Sequence, residues 1–241
     1  VDWKVPEIRK IAQALLGSVD IIPNPSQLGQ AFAELMQKSM GRGVAQADLR
    51  VWIPQGAQVL FVRQVSPTVE DLTQRGVPIN PLTQAYPTGS WGDEERDYHL
   101  QVRLPAKSVG QEQLAARVQL AVGTEVLTQG LVKAKWSSDL NLTAQINPEV
   151  AHYTGQTELA TAIQEGLAAK AVGDERTATT KLGRAAQLAV STGNAEATAK
   201  LRKVVDIDNA DTGTVRLKRS VDKADEMALD TASTKTTRIR G

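Results

Sequence analysis

The period of the apolar residues changes partway along the chain, and few folds accommodate both halves. Between Ala47 and Trp136 the period is two, the alternation of strands with one buried face. Leu49, Val51 and Ile53 make one run, and Val59, Phe61, Val62 and Val65 a second. Tyr98, Leu100, Val102 and Leu104 alternate next, then Ala116, Val118 and Leu120, then EVLTQGLVKAKW from Glu125 to Trp136. Pro and Gly separate the runs, and PQG at 54–56 is expected to close a hairpin between the first two. Short strands without a long helix predict an antiparallel β-sandwich over 44–140. Leu49, Val51, Leu100, Val102, Val118 and Leu120 are expected to be buried together.

From Pro148 the period becomes helical. Leu159, Ala160, Ile163, Leu167 and Ala168 form one stripe, Ala178, Leu182, Ala185, Ala186 and Ala189 a second, and Ala197, Leu201 and Val204 a third. VGD at 172–174 and TGN at 192–194 divide them, with Gly placed for a helix end and Asp or Asn for the next helix start. Alanines between leucines let helices approach closely, so 141–208 is expected to form an α-helical bundle. Residues 209–241 are expected to hold a short helix and a flexible Thr/Ser/basic tail. The chain opens with a helical stripe at Ile8, Ile11, Ala12, Leu15 and Leu16. A strand is expected over Ser18–Ile22, then a second stripe at Leu28, Ala31, Phe32, Leu35 and Met36. A lone strand leaves its backbone groups unpaired, so its sheet must come from elsewhere. The fold class is thus multidomain α and β.

Composition narrows the function. With 241 residues, 41% hydrophobic and 23% charged, the chain has the make-up of an ordinary globular protein. No apolar run reaches the roughly 20 residues of a membrane span, and no signal-type segment opens it, so the expected setting is the cytoplasm. The first residue is Val and not Met, so a processed, trimmed or recombinant piece is expected. There are no cysteines, which excludes disulfides and thiolate chemistry. A net charge of +1 provides no field for nucleic acid.

Motifs that could carry chemistry are few. His99 and His152 are far apart and read as structural. DIDNAD, Asp206 to Asp211, has Asp211 and Leu217 where a calcium loop needs Gly and Glu, and reads as a solvated acidic turn. The Gly41-Arg42-Gly43 stretch lacks the Lys-Ser/Thr of a phosphate loop. Trp91, Asp93, Glu94, Glu95 and Arg96 form an exposed-looking hairpin tip, a candidate interaction loop. No catalytic, cofactor-binding or metal-binding residue is assigned.

The stretch IRKIAQALLGSVDIIPNPSQLGQAFAELMQKSM resembles the last helix, last strand and closing helix of a von Willebrand factor type A (VWA) domain. RQVSPTVEDLT, YPTGSWGDEERDYHLQV, VAHYTGQTELATAIQEGLAAK and KADEMALDTASTKTT resemble the region that follows it in bacterial, particularly actinobacterial, proteins. The resemblance implies that 1–43 is the C-terminal remnant of an α/β VWA domain. Such domains hold a divalent cation, Mg or Mn, with an Asp-x-Ser-x-Ser loop; Asp230-Thr231-Ala232-Ser233-Thr234 has its serine one place late. The metal loop is therefore expected upstream of this chain if the chain is a piece of a longer protein, and lost if it is complete.

The leading expectation is a non-catalytic protein-interaction scaffold, not an enzyme, whose partner is the rest of the VWA domain or a phosphothreonine-reading domain. Thr234, Thr236 and Thr237 in the tail are the candidate phosphorylation sites. The alternative is a hydrolase-like enzyme with a carboxylate site near Asp93–Asp97. Neither nucleic acid nor membrane is expected as a partner.

Overall fold

The computed structural model describes residues 4–16, 27–41, 43–44 and 46–239. The expected strand Ser18–Ile22 lies outside the described residues, as do Arg42 and Arg240. Two helices come first, α1 (Val5–Ala14) and α2 (Leu28–Met40). Pro6 sits in the first turn of α1, where its missing N–H costs no hydrogen bond. Packing divides the chain into two compact units, one of 33–64 with 70–147, the other of 1–32 with 65–69 and 148–241.

The first unit holds β1 (Asp48–Trp52), β2 (Gln58–Ser66, whose last two residues count with the other unit), β3 (Glu70–Asp71) and β4 (Val77–Asn80). After them come β5 (Thr83–Pro87), β6 (Asp97–Arg103), β7 (Glu112–Val122) and β8 (Glu125–Lys135). They form a five-stranded sheet in the order β4-β5-β1-β7-β8 and a three-stranded sheet in the order β3-β2-β6. β1 pairs antiparallel with β5 on one side and β7 on the other, Leu49 facing Tyr86 and Leu120. Both its edges are thus occupied, and β2 has to join the other sheet. The expected hairpin at 54–56 is instead a crossing between sheets, with Gly56 at φ 81° making the turn.

Leu49, Val51, Val62, Leu72, Tyr86, Ala116 and Ala121 are buried. Leu100, Val102, Val118 and Leu120 are only half-buried, and β8 is exposed along nearly all its length. The core expected from alternation is therefore closed on the β1 side and open toward β8. This is a mixed α/β fold with antiparallel sheets, and not a clear sandwich. A short helix, α3 (Leu140–Thr143), is capped by Asp139, whose carboxylate accepts from the Asn141 amide at 2.9 Å.

The second unit is built on α4 (Pro148–Ala171), α5 (Glu175–Ser191) and α6 (Ala195–Val204). Asp174 caps α5 by accepting from Thr177 N at 3.0 Å, and Asn194 caps α6 by accepting from Ala197 N at 3.0 Å. Gly166 lets α4 and α5 meet closely: a Cβ there would lie 2.7 Å from Leu182 Cγ. After α6 the chain makes an antiparallel pair, β9 (Val205–Asn209) and β10 (Thr214–Leu217), and ends in α7 (Lys223–Ala232). Val205 and Val215 of that pair join Leu159, Ile163, Leu182, Leu201 and Leu229 in one core. The region is thus not the purely helical bundle expected, because a strand pair completes its core. Gly183 of α5 abuts Gly213 in the β9–β10 turn, backbone against backbone.

Candidate interaction site

Trp91 to Arg96 is tied down, and not a free hairpin tip. Trp91 N donates to Val44 O at 2.9 Å and Val44 N to Trp91 O at 3.1 Å, which extends the β1–β5 pairing past its end. The indole Nε1 donates to Thr88 Oγ1 at 2.8 Å, and that hydroxyl donates to Ala47 O at 2.7 Å. The Arg96 guanidinium lies over the Trp91 ring, 4.5 Å from its centroid. It donates to Thr88 O, Ser90 O and Glu94 Oε1, each at 2.6 Å. Burial pulls the Arg96 pKa down, but the Glu94 and Tyr98 interactions outweigh it and the net shift is upward. Of the five residues expected in this loop, the structure joins Trp91, Glu94 and Arg96 into one node. Asp93 and Glu95 are exposed beside it.

Sequence reading did not single out Glu70, which adjoins this node. Its carboxylate lies 3.4 Å from Arg75 Nη2, and its Oε1 is buried without a hydrogen bond. Burial raises its pKa, partly offset by the positive charges of Arg75 and Arg96. Tyr98 is raised as well, again chiefly by burial. The missed signal is that Glu70 pairs with Gln64 on a short strand, a placement no local pattern announces. Among the described residues, one concavity is lined by Ile53, Pro54, Gly56, Pro81 and Leu82, and another by Val190, Gly193, Thr198 and Arg202. Neither lining contains a carboxylate, so the acids of Asp93–Asp97 do not converge on either of them.

The described part of the tail, to residue 239, makes hydrogen bonds to the rest of its unit. Val69 N donates to Thr234 O at 2.7 Å, Thr236 N to Pro67 O at 2.9 Å, and Thr236 Oγ1 to Val65 O at 2.7 Å. Thr237 N donates to Gln156 Oε1 at 3.1 Å, and His152 Nε2 meets Thr237 O at 2.6 Å. Gln156 is fully buried; its Oε1 also accepts from Asn194 Nδ2 at 3.0 Å, and its Nε2 donates to Thr192 Oγ1. A Thr/Ser-rich composition reads as disordered because it buries little apolar surface, whereas here buried amides hold the backbone. Of the three candidate phosphorylation sites, Thr236 has its hydroxyl engaged inside the fold.

The remaining candidates lie on β6, on β9 and the turn after it, and at the end of α7. His99 lies on β6, its pKa lowered by burial and by Arg63, with Asp97 opposing. In the acidic run, Asp206 and Asp208 stand exposed on β9 and Asp211 lies exposed in the turn that follows. Asp208 accepts from Arg216 Nε and Nη2 at 2.9 and 2.8 Å, and Asp206 lies 3.7 Å from Lys218 Nζ. Asp230 is bound to Arg9 Nη2 at 2.5 Å, and Ser233 Oγ donates to the Asp230 carbonyl at 2.6 Å. These oxygens are committed to protein partners and do not fit a cation cage. Among the described residues no group of three or more acids and histidines converges as a metal site would require.

The surface of α1 and α2 differs from all of these. Leu28, Phe32, Leu35 and Met36, at the i, i+4, i+7, i+8 spacing of one helix face, are 58%, 59%, 57% and 44% exposed. Ile11 and Leu15 are exposed likewise.

Comparison with known proteins gives these features a context. Residues 187–233 match the model of the von Willebrand factor type A C-terminal domain. No curated protein matches. A solved structure described as von Willebrand factor type A from Catenulispora acidiphila is 51% identical, with a TM-score of 0.93 over 99% of this chain and 57% of that one. The chain thus spans little more than half of that relative. Another, the ArnB paralog VWA2 from Sulfolobus acidocaldarius, is 14% identical with a TM-score of 0.37, covering 88% of this chain and 47% of that one, too slight a likeness to argue from. The chain is thus similar over residues 187–233 to the von Willebrand factor type A C-terminal domain, and over nearly its whole length to part of the Catenulispora acidiphila structure.

Proposed function

We propose that the chain is a non-catalytic protein-interaction scaffold, the C-terminal part of a VWA-domain protein whose metal-binding loop lies outside it. The observation that carries this reading is the exposed stripe on α2. A helix with four large apolar residues on one face gains about 1 kcal/mol or more for each half-exposed side chain it covers, so the face suits a sheet or helix partner. The partner in this reading is the rest of the VWA domain, whose sheet α1 and α2 would flank. A divalent cation, Mg or Mn, would bind in that other part.

Co-expression tests the reading. The polypeptide matching the remaining length of the Catenulispora acidiphila relative, made together with this chain, should co-purify with it as a one-to-one complex. Phe32→Glu with Leu35→Glu should abolish the complex and leave the fold of this chain intact. A complex insensitive to both substitutions, or none in the unsubstituted pair, would refute the assignment.

A further inference from the structure

The five-stranded sheet ends on two edges of different kinds. β4 is four residues long and includes Pro78, which has no N–H to offer a neighbour. β8 is eleven residues long and has no proline, and among the described residues β7 is its one strand neighbour. Half of its backbone groups therefore face outward without a ladder partner. Leu131 and Val132 are adjacent and so lie on opposite faces of the sheet, yet they are 56% and 49% exposed. A helix laid on the sheet would cover one of them. A strand added along the edge flanks both and takes up the outward N–H and C=O groups.

The two faces differ chemically. Val132 pairs with Ala116, and its face continues through half-buried Val118 and Leu120 to Leu49 and Val51. Leu131 pairs with Arg117, and that face continues to Lys133, Trp52 and Arg50. An incoming strand suited to both faces alternates apolar residues with acidic ones.

We infer that the β8 edge receives an extended segment of the same VWA-type polypeptide, drawn from the length that lies outside this chain. The inference rests on the reading that the chain is one part of a longer protein. The relative keeps this fold over 99% of the chain, which covers 57% of that protein and leaves 43% of it to supply a strand. A strand matching β8 needs about eleven residues, or roughly 36 Å of extended chain. One added strand then takes up the unpaired outward groups of β8 and flanks Leu131 and Val132.

Hydrogen exchange tests it. Amides across Glu125–Lys135 are followed in this chain, at two concentrations, and at the equivalent residues of the full-length Catenulispora acidiphila protein. The outward-facing, alternate amides should exchange freely in this chain and be slowed about a hundredfold in the longer protein. Equal, fast exchange in both would overturn the inference. Protection that rises with concentration in this chain alone would also overturn it, because a second copy would then be the occupant. Slowed exchange on α2 without any on β8 would overturn strand addition and leave the docking of α2 standing; the reverse pattern would uphold strand addition and remove the docking reading.

Discussion

Replacing Gln156 by Leu tests what holds the tail in place. The Gln156 carboxamide is buried in α4 and serves three partners: Thr237 N, Asn194 Nδ2 and Thr192 Oγ1. Leucine fills a similar volume but leaves the first two donors without their acceptor. Each buried donor so abandoned costs about 1–3 kcal/mol, and the added apolar surface returns part of this, so a loss of about 3 kcal/mol is expected. At about 2–4 °C per kcal/mol for a chain of this size, the transition of the helical unit should fall by about 6–12 °C. Calorimetry reads the transition, and hydrogen exchange at Thr236 and Thr237 reads the tail. Gln156→Glu keeps the acceptors and should preserve tail protection better than Leu does. A loss below about 0.5 kcal/mol with unchanged exchange at Thr237 would show that the tail is held by something other than this carboxamide.

The other predictions concern separate parts of the molecule. Arg96→Met should cost about 2–4 kcal/mol in urea denaturation, because Thr88 O, Ser90 O and Glu94 lose their common donor, and Arg96→Lys should recover only part of it; a loss under about 0.5 kcal/mol for Arg96→Met would show that those acceptors do not depend on Arg96. Glu70, whose folded pKa is raised above its ordinary 4.5, favours the fold when protonated and loses that contribution as pH rises through the folded value. Glu70→Gln should therefore stabilise the protein at pH 7 and make no difference well below pH 4.5, as paired denaturation curves would show. Gly183→Ala should destabilise the helical unit by more than about 2 kcal/mol, since a Cβ there meets the Gly213 carbonyl; stability within about 0.5 kcal/mol of the parent would mean the contact yields easily. Calorimetric titration with magnesium or manganese should give no stoichiometric micromolar binding to this chain, and such binding would contradict the commitment of Asp230 and Ser233 to protein partners.

How much of this could be read from the sequence follows from how local each determinant is. The helices α4 to α6 announce themselves because their stripes and caps are local: Gly173 and Gly193 take positive φ where the helices stop, and Asp174 and Asn194 cap the next. Strand positions are legible for the same reason, but their partners are not. Nothing near Pro54-Gln55-Gly56 says that β1 already has two neighbours, so a crossing between sheets looks like a hairpin. β4 and β5 carry Pro78 and Pro87, which argue against strands unless an edge or strand end tolerates them. The tail composition suggests disorder because its anchors, Gln156 and the 65–69 segment, are remote in sequence. In the Trp91 loop the residue types were visible, whereas the Arg96 stack and the buried Glu70 depend on long-range pairing.

The most direct test of the scaffold reading is the change in melting temperature caused by one pair of substitutions in two backgrounds. Phe32→Glu with Leu35→Glu is introduced into this chain and, at the equivalent positions, into the full-length Catenulispora acidiphila relative. In this chain both side chains face solvent, so the shift should stay within about 2 °C, the size of an ordinary surface change. In the longer protein the same face should be covered, and burying two carboxylates there should lower the midpoint by about 10 °C or more. Equal small shifts in both backgrounds would mean that nothing docks on α2, and would contradict the account.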